Sequence, residues 1–376
     1  MISFQMSKEQ RKQVSLVRQL AQEEIAPLAL EMDQAQGDFN WHYIDVLAKH
    51  NLIAPIIPLE YGGRGLDCLT IAMFIEEIAV ACAGLAAAMV GTMHAVLPII
   101  IGGTEEQKEK FLPLLTGKQA ALASFALTEP QGGSDIEILQ TTADFRENVF
   151  LLNGVKDYVI NGAVAKFVTV CANSNPAAKR AFQFFFVSSD QIKVNLVRNT
   201  MGIKYANTAQ IAIDNVKLDK QYAIGERDSG YLLLTHTLDI GRTLIAAIEL
   251  GIARAAYQLV LQYARERQQF GRPIFSNQGV SFPLAAMATS IDAARLMVWR
   301  ACDLIDKEED FTQASSMAKM YASEVAQHVT AGAIDIIGAA AYDTNHIANV
   351  YFRDAKVCSI VGGTNNIQKM IISSLL

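Results

Sequence analysis

Three short stretches hold the residue types that chemistry would need. In Thr128-Glu129-Pro130-Gln131-Gly132-Gly133-Ser134-Asp135, two glycines let the backbone approach a ligand, while Thr128 and Ser134 offer hydroxyls and amides to a planar polar edge or a phosphate. The same residues equally make a plain polar turn. Arg265-Glu266-Arg267-Gln268-Gln269-Phe270-Gly271-Arg272-Pro273, with Gln278 beyond, places guanidinium groups, an aromatic ring and a Gly turn at a helix end. That set suits a diphosphate beside a flat ring, or simply basic residues complementing a helix C-terminus. Near the end of the chain, Tyr351-Phe352-Arg353-Asp354-Ala355-Lys356 leads into Ile360-Val361-Gly362-Gly363-Thr364-Asn365-Asn366-Ile367-Gln368. Gly362-Gly363-Thr364 opens a last helix, whose free N–H groups can receive an anion or a carbonyl; spacing alone leaves a bland helix start as an equal reading.

The elements that position these stretches follow from periodicity. Residues 1–122 read as helices: Glu9 to Met32 carries Val14, Val17, Leu20, Ala21, Ile25 and Leu28 at helical spacing, interrupted at Pro27, and Trp41 to His50 forms another. The glycines of Pro58-Leu59-Glu60-Tyr61-Gly62-Gly63-Arg64-Gly65 predict a reversal of the chain. Over 123–225 the period changes to short β-rich runs at 150–154, 167–171, 182–187, 192–197 and 210–216. Over 226–376 helices return, at Tyr231 to Arg267, Val280 to Lys307, Phe311 to Ile337 and after Gly363. Residues 242–267 are apolar on nearly every face, which predicts burial in a bundle or between subunits.

Composition bounds the function. A chain of 376 residues with 51% hydrophobic and 19% charged residues can bury a large interior in two or three packed units, so disorder is excluded. A net charge of −6 without a basic block argues against nucleic acid. Ala79 to Ile101 is apolar enough to raise a membrane question, but Gly84, Gly91, His94 and Pro98 interrupt it, so a buried helix pair is expected rather than membrane insertion. Met1 to Lys8 shows no basic region followed by an apolar core. The five cysteines lack C-x-x-C spacing; core thiols in a reducing cytoplasm, with no metal site, are expected.

Taken together and in order, the motifs resemble the acyl-CoA dehydrogenase family. They are Pro58-x-x-Tyr61-Gly62-Gly63-x-Gly65, Gly103-Thr104-Glu105-Glu106-Gln107-Lys108, Thr128-Glu129-Pro130-x-x-Gly133-Ser134-Asp135, Arg265-x-Arg267-x-x-Phe270-Gly271, Arg353-Asp354-Ala355-Lys356 and Gly363-Thr364-x-x-Ile367-Gln368. The resemblance implies a mainly α fold: a helical N-domain, a middle β-barrel or sandwich and a C-terminal four-helix bundle. It implies FAD as cofactor, an acyl thioester of CoA or acyl-carrier protein as substrate, and a homodimer or homotetramer that completes the FAD site. It also brings an electron-transfer flavoprotein into view as partner. Carried over by position, Thr128, Ser134 and the Tyr158–Ile160 segment meet the flavin. Arg267, Phe270 and Gln278 reach the diphosphate and adenosine across a dimer; Asp335 and Gly338 lie in the segment passing the diphosphate, and Thr364 and Asn366 near the adenine half.

In that family a Glu takes the proton next to the thioester carbonyl while a hydride leaves to the flavin, and a backbone N–H polarises the carbonyl. The position of that Glu is Gly362 here, and a second branch's position, just before Arg242, is Gly241. Glu249 lies on the same helix about two turns on and is a weak substitute. Ile160 stands where a Thr hydroxyl would bond flavin N5, and Asp335 with Ala339 to Ala341 replaces a Gln and glycines. An oxidoreductase on the α,β-carbons of an acyl thioester with a non-standard base is the expectation. The alternatives are redox-neutral cyclisation, elimination or isomerisation, and a non-catalytic subunit. Met89, Val90, Met93 and His94 are expected near the acyl pocket, His94 as a core or wall histidine.

Overall fold

The computed structural model describes residues 6–35, 38–119, 121–175, 180–226 and 230–376. Residues 1–5, on which the reading of the N-terminus rests in part, lie outside that set. The chain opens with α1 (Lys8–Leu20), whose Ser7 cap and Gln10 bond each other's backbone N–H groups. The predicted single helix to Met32 is in fact broken at Leu20: a five-residue π turn, then a 3-10 turn around Pro27, lead into α2 (Ala29–Gln34). After α3 (His42–Lys49) come α4 (Cys68–Ala81) and α5 (Ala83–Gly102), then α6 (Glu105–Phe111).

The apolar run over 79–101 breaks at Cys82, not at its glycines or proline, for Gly91 and Pro98 lie inside α5. Pro98 has no N–H to give the His94 carbonyl one turn back, so α5 is loosened there. α5 is long and apolar enough to cross a membrane, but 89% of its most apolar window is buried in the protein, which marks it as a core helix.

The middle of the chain forms an eight-stranded sheet. Its strands are β1 (Ala123–Ala126), β2 (Thr142–Arg146), β3 (Val149–Val159), β4 (Phe167–Asn173), β5 (Phe182–Ser188), β6 (Lys193–Val197), β7 (Ala209–Asp219) and β8 (Ala223–Ile224), in the order β6-β7-β3-β2-β4-β5-β8 with β1 on β4. β2 meets β4 through the single pair Thr142–Asn173, so the sheet is two halves. Leu152, Ile211 and Leu218 of one half pack with Ala126, Val168 and Phe185 of the other in a core of their own, the sandwich-like arrangement expected. Sequence periodicity missed β1 and β2, which are too short or too polar to alternate visibly.

The last part is α7 (Gly230–Glu266), α8 (Gln278–Asp306), α9 (Thr312–Ile337), the short α10 (Ala339–Tyr342), α11 (Ile347–Cys358) and α12 (Asn365–Ser374). α7 is the axis of the molecule, packing on α4, α5, α8, α9 and α11. Charges buried between helices are paired: Arg254 of α7 reaches Glu76 at 2.8 Å and Glu77 at 2.6 Å, Arg295 of α8 reaches Glu76 at 3.0 Å, and Arg18 of α1 reaches Glu77 at 2.8 Å. Such a network fixes the register of four helices, because removing one partner strands a charge in the interior.

Candidate active site

The loop after β1 is built around a buried ion pair. Glu129 and Lys156 are both buried and 2.9 Å apart, and Glu129 also accepts the Gln140 N–H at 2.7 Å and the Thr141 N–H at 2.9 Å. Burial raises the Glu129 carboxyl, but the Lys156 charge and these hydrogen bonds overcome it and hold it at about 2. The adjacent Thr128 carbonyl accepts the Asp157 N–H at 2.9 Å, tying the loop to the end of β3. A cleft lined by Leu127, Thr128, Gly132, Gly133, Ile136 and Leu139 opens there. Thr128 and Gly133 touch, whereas Ser134 stands exposed outside that lining.

At the end of β3 the chain turns through Tyr158 and Asn161, both with left-handed backbone (φ +52° and +61°). The buried Asn161 amide donates to the carbonyls of Ala88 (2.9 Å) and Ala123 (3.0 Å) and to the Thr92 hydroxyl (3.2 Å), pinning the turn to α5 and β1. Between them Ile160 is only partly buried and lies against Gly91 of α5, where a Cβ would stand 2.6 Å from its Cγ2. Tyr158 is exposed, with the Arg198 guanidinium 4.7 Å over its ring.

The Gly-Gly turn before α12 uses a conformation that side chains resist: φ is +66° at Gly362 and +87° at Gly363. Thr364 caps α12 by accepting the Ile367 N–H, and the Gln368 amide donates to the carbonyls of Gly362 (3.2 Å) and Gly363 (2.9 Å), which locks the turn. The Gly362 N–H itself has no partner among the described residues. Position 362 faces α7, for a Cβ there would lie 2.5 Å from Ile245 Cδ1. Asn365 turns inward to Lys319 and Ser323, while Asn366, the residue singled out from sequence, is exposed.

One turn before Ile245, on the same face of α7, Gly241 meets His94 of α5: a Cβ at 241 would lie 1.6 Å from His94 Nε2. Arg242 points elsewhere, holding Asp239 at 2.8 Å and the Ser316 hydroxyl at 2.9 Å, with its Nε left unpaired. Glu249, the substitute carboxylate considered from sequence, is sealed in the bundle. Neither of its oxygens accepts a hydrogen bond, Lys319 is 4.0 Å away, and burial pushes its carboxyl well above the usual range, only partly offset by Lys319. Met89, Val90 and Met93 are core residues rather than pocket lining; of that group His94 alone is partly exposed.

The structure therefore gathers Thr128, Ile160, Gly241 and Gly362 around the junction of α5, α7 and the sheet. A second group of the residues singled out lies apart from these. Arg267, Phe270 and Gln278 are exposed at the far end of α7 and start of α8, with Phe270 98% exposed. Asp335 and Gly338 are exposed at the adjoining end of α9, linked to that end by the Tyr263 hydroxyl on the Ile337 carbonyl at 3.4 Å. Gly338 ends α9 with φ +77°, and Ala339 to Ala341 open α10 instead of a free loop. Gly241 and Arg267 are 26 residues apart on one helix, about 39 Å at the usual rise, farther than one dinucleotide reaches.

Comparisons with known proteins give the family. Family models match in order: Acyl-CoA dehydrogenase, N-terminal domain at residues 7–119, middle domain at 124–216 and C-terminal domain at 228–376. A cyclohex-1-ene-1-carbonyl-CoA dehydrogenase of Syntrophus aciditrophicus (strain SB) is 34% identical over 371 residues, covering 98% of this chain and 89% of that protein. The butyryl-CoA dehydrogenase of Megasphaera elsdenii superposes with a TM-score of 0.95 at 32% identity, covering 100% of this chain and 99% of the other. The prolyl acyl carrier protein oxidase AnaB superposes with a TM-score of 0.92 at 29% identity, covering 99% of both chains. The chain belongs to the acyl-CoA dehydrogenase family, as a flavoenzyme whose cofactor is FAD.

Proposed function

We propose that the protein interconverts a saturated and an α,β-unsaturated acyl thioester, with proton transfer carried by a group other than a carboxylate at 362. The observation that carries this reading is the Gly362 N–H, which has no partner among the described residues and belongs to a left-handed turn packed against Ile245 of α7. A thioester carbonyl accepting that N–H gains partial enolate character, which makes the adjacent C–H acidic. The residues present fit FAD. Thr128 and the Gly132-Gly133 backbone line an open cleft, the Tyr158–Ile160 turn is held rigid by Asn161, and Ile160 gives a ring edge an apolar neighbour. FAD supplies the hydride acceptor or donor; the chain orients the thioester against it and keeps α5 and α7 closed around the reacting carbons.

The bundle end is the second half of the proposal. Arg267, Phe270 and Gln278 stand exposed at the end of α7 remote from Gly241, with no opposing wall in one chain, so they serve the FAD of a neighbouring copy in a homodimer or homotetramer. A cytoplasmic location and an electron-transfer flavoprotein as redox partner complete the reading. The test is anaerobic mixing of the purified protein with butyryl-CoA, cyclohexanecarbonyl-CoA and a prolyl-carrier-protein thioester. Bleaching of the flavin absorption by at least one thioester, and not by the free acid, is expected. A colourless protein, or a flavin that no thioester reduces, would sink the proposal.

A further inference from the structure

His94 is the one histidine at the junction of the site, and its environment fixes which atom is free. Its Nδ1 is 3.1 Å from the Val90 carbonyl, which only accepts, so Nδ1 carries the hydrogen and Nε2 the lone pair. That Nε2 occupies the space that the first carbon of any side chain at 241 would take. Three contacts place it. Gly91, one turn before His94 on α5, touches Ile160; Gly241 touches His94; and Ile245, one turn after Gly241, touches Gly362. The contact of His94 at Gly241 and the contact of Gly362 at Ile245 thus lie about one helical turn, ~6 Å, apart along the same face of α7.

The other ionisable groups near this face are occupied. Asp239 and Arg242 pair with each other, and Asp239 also accepts the Thr312 hydroxyl at 2.6 Å, while Glu249, one turn beyond Ile245, is sealed in the bundle with Lys319 4.0 Å away. Resting on the functional reading above, we propose that His94 Nε2 is the base that removes the proton adjacent to the thioester carbonyl. In the oxidative direction the α-C–H bond breaks and its proton goes to Nε2. The freed pair forms the α,β double bond as the β-hydrogen leaves with its own pair to FAD, the oxidant, and the imidazolium then returns its proton to solvent. Burial, reinforced by the Arg242 charge, lowers the imidazole to about 4 against the bond to Val90, so at pH 7 the ring is neutral with its Nε2 lone pair free, and the same shift makes it a weaker base than an ordinary histidine. Gly241 and His94 are then one device: the missing side chain on α7 is what lets the imidazole reach the site.

The test uses the full-length flavoprotein and the thioester that reduces it fastest. His94→Gln, which keeps a polar side chain of similar length without the basic ring nitrogen, is expected to keep flavin content but to slow flavin reduction and solvent exchange of the α-proton by about 100-fold or more, with thioester affinity held. In a His94→Ala background, Gly241→Glu is expected to restore part of the lost rate. Independent of turnover, Gly241→Ala should lower the melting temperature of the parent and leave that of His94→Ala unchanged. A His94→Gln protein that reacts at the parental rate overturns the inference and leaves the functional reading standing. Equal tolerance of Gly241→Ala in both backgrounds overturns the packing on which the inference stands. A parent that no thioester reduces overturns the functional reading and the inference together.

Discussion

Around Gly241 and Ile245, α7 is enclosed by α5, α9 and the Gly362 turn, with Arg242 held by Asp239 and Ser316. Around Arg267 and Phe270 the same helix ends in solvent, and a ring 98% exposed stands on a left-handed residue. An inner region of this kind is shaped within one chain, because its turns are bonded to buried backbone carbonyls. The outer region has the residue types of a binding surface without the opposing wall. The contrast teaches that one end of α7 is enclosed by the folding of a single chain, whereas the other end is left open by it.

The comparison breaks most easily at the loop after β1, held by the buried Glu129–Lys156 pair. Lys156→Met leaves Glu129 charged and buried without its partner, which should cost about 3–5 kcal/mol and release FAD. Denaturant unfolding with flavin fluorescence would read both, and the double variant with Glu129→Gln should recover most of the stability. An unchanged unfolding midpoint would mean that the inner loop is not organised by this pair. Asn161→Ala is next: it removes three buried hydrogen bonds and puts a Cβ residue without the Asn preference at φ +61°. We expect a loss of about 3 kcal/mol and weakened FAD binding, measured by the same titration.

A pH experiment sharpens the contrast, since buried charge belongs to the enclosed part of the chain. Asp354 on α11 accepts the Ile203 N–H at 2.6 Å, and burial raises its carboxyl to about 7 against that bond. Its folded-state value lies above the unfolded one of 3.8. The stability this group contributes is therefore complete below 3.8 and is lost as pH rises to 7, at up to about 1.4 kcal/mol per pH unit. Asp354→Asn should remove that component, so the difference in stability between variant and parent should grow in the variant's favour from pH 4 to pH 7. A difference independent of pH would contradict the assignment. The smallest expected change in protomer stability comes from the outer end. Arg267→Ala and Phe270→Ala should each shift it by no more than about 0.5 kcal/mol, yet lower FAD retention and the mass measured by light scattering. Full retention of FAD and assembly would show that the outer end serves no neighbouring copy.

The sequence by itself determined a good deal. Helical and strand periods located α3, α7, α8 and α9 and five of the strands to within a few residues, because each buries one face or all faces of a regular element. Ordered motifs identified the family, and Gly362-Gly363 could be read as a special turn because only glycine accepts such angles cheaply. α11 was not legible, since a helix of 12 residues buries too few positions on one face to set a clear period. Tertiary structure decided the rest. Whether Glu249 could act depended on how the bundle closes over it beside Lys319, and a residue two turns along a helix apolar on all sides gives no clue to that. His94 read as a wall histidine because its partner, Gly241, lies 147 positions away and contributes only the absence of a side chain. Sequence records which side chains a chain has, but only the folded contact between α5 and α7 shows what fills the space where one is missing.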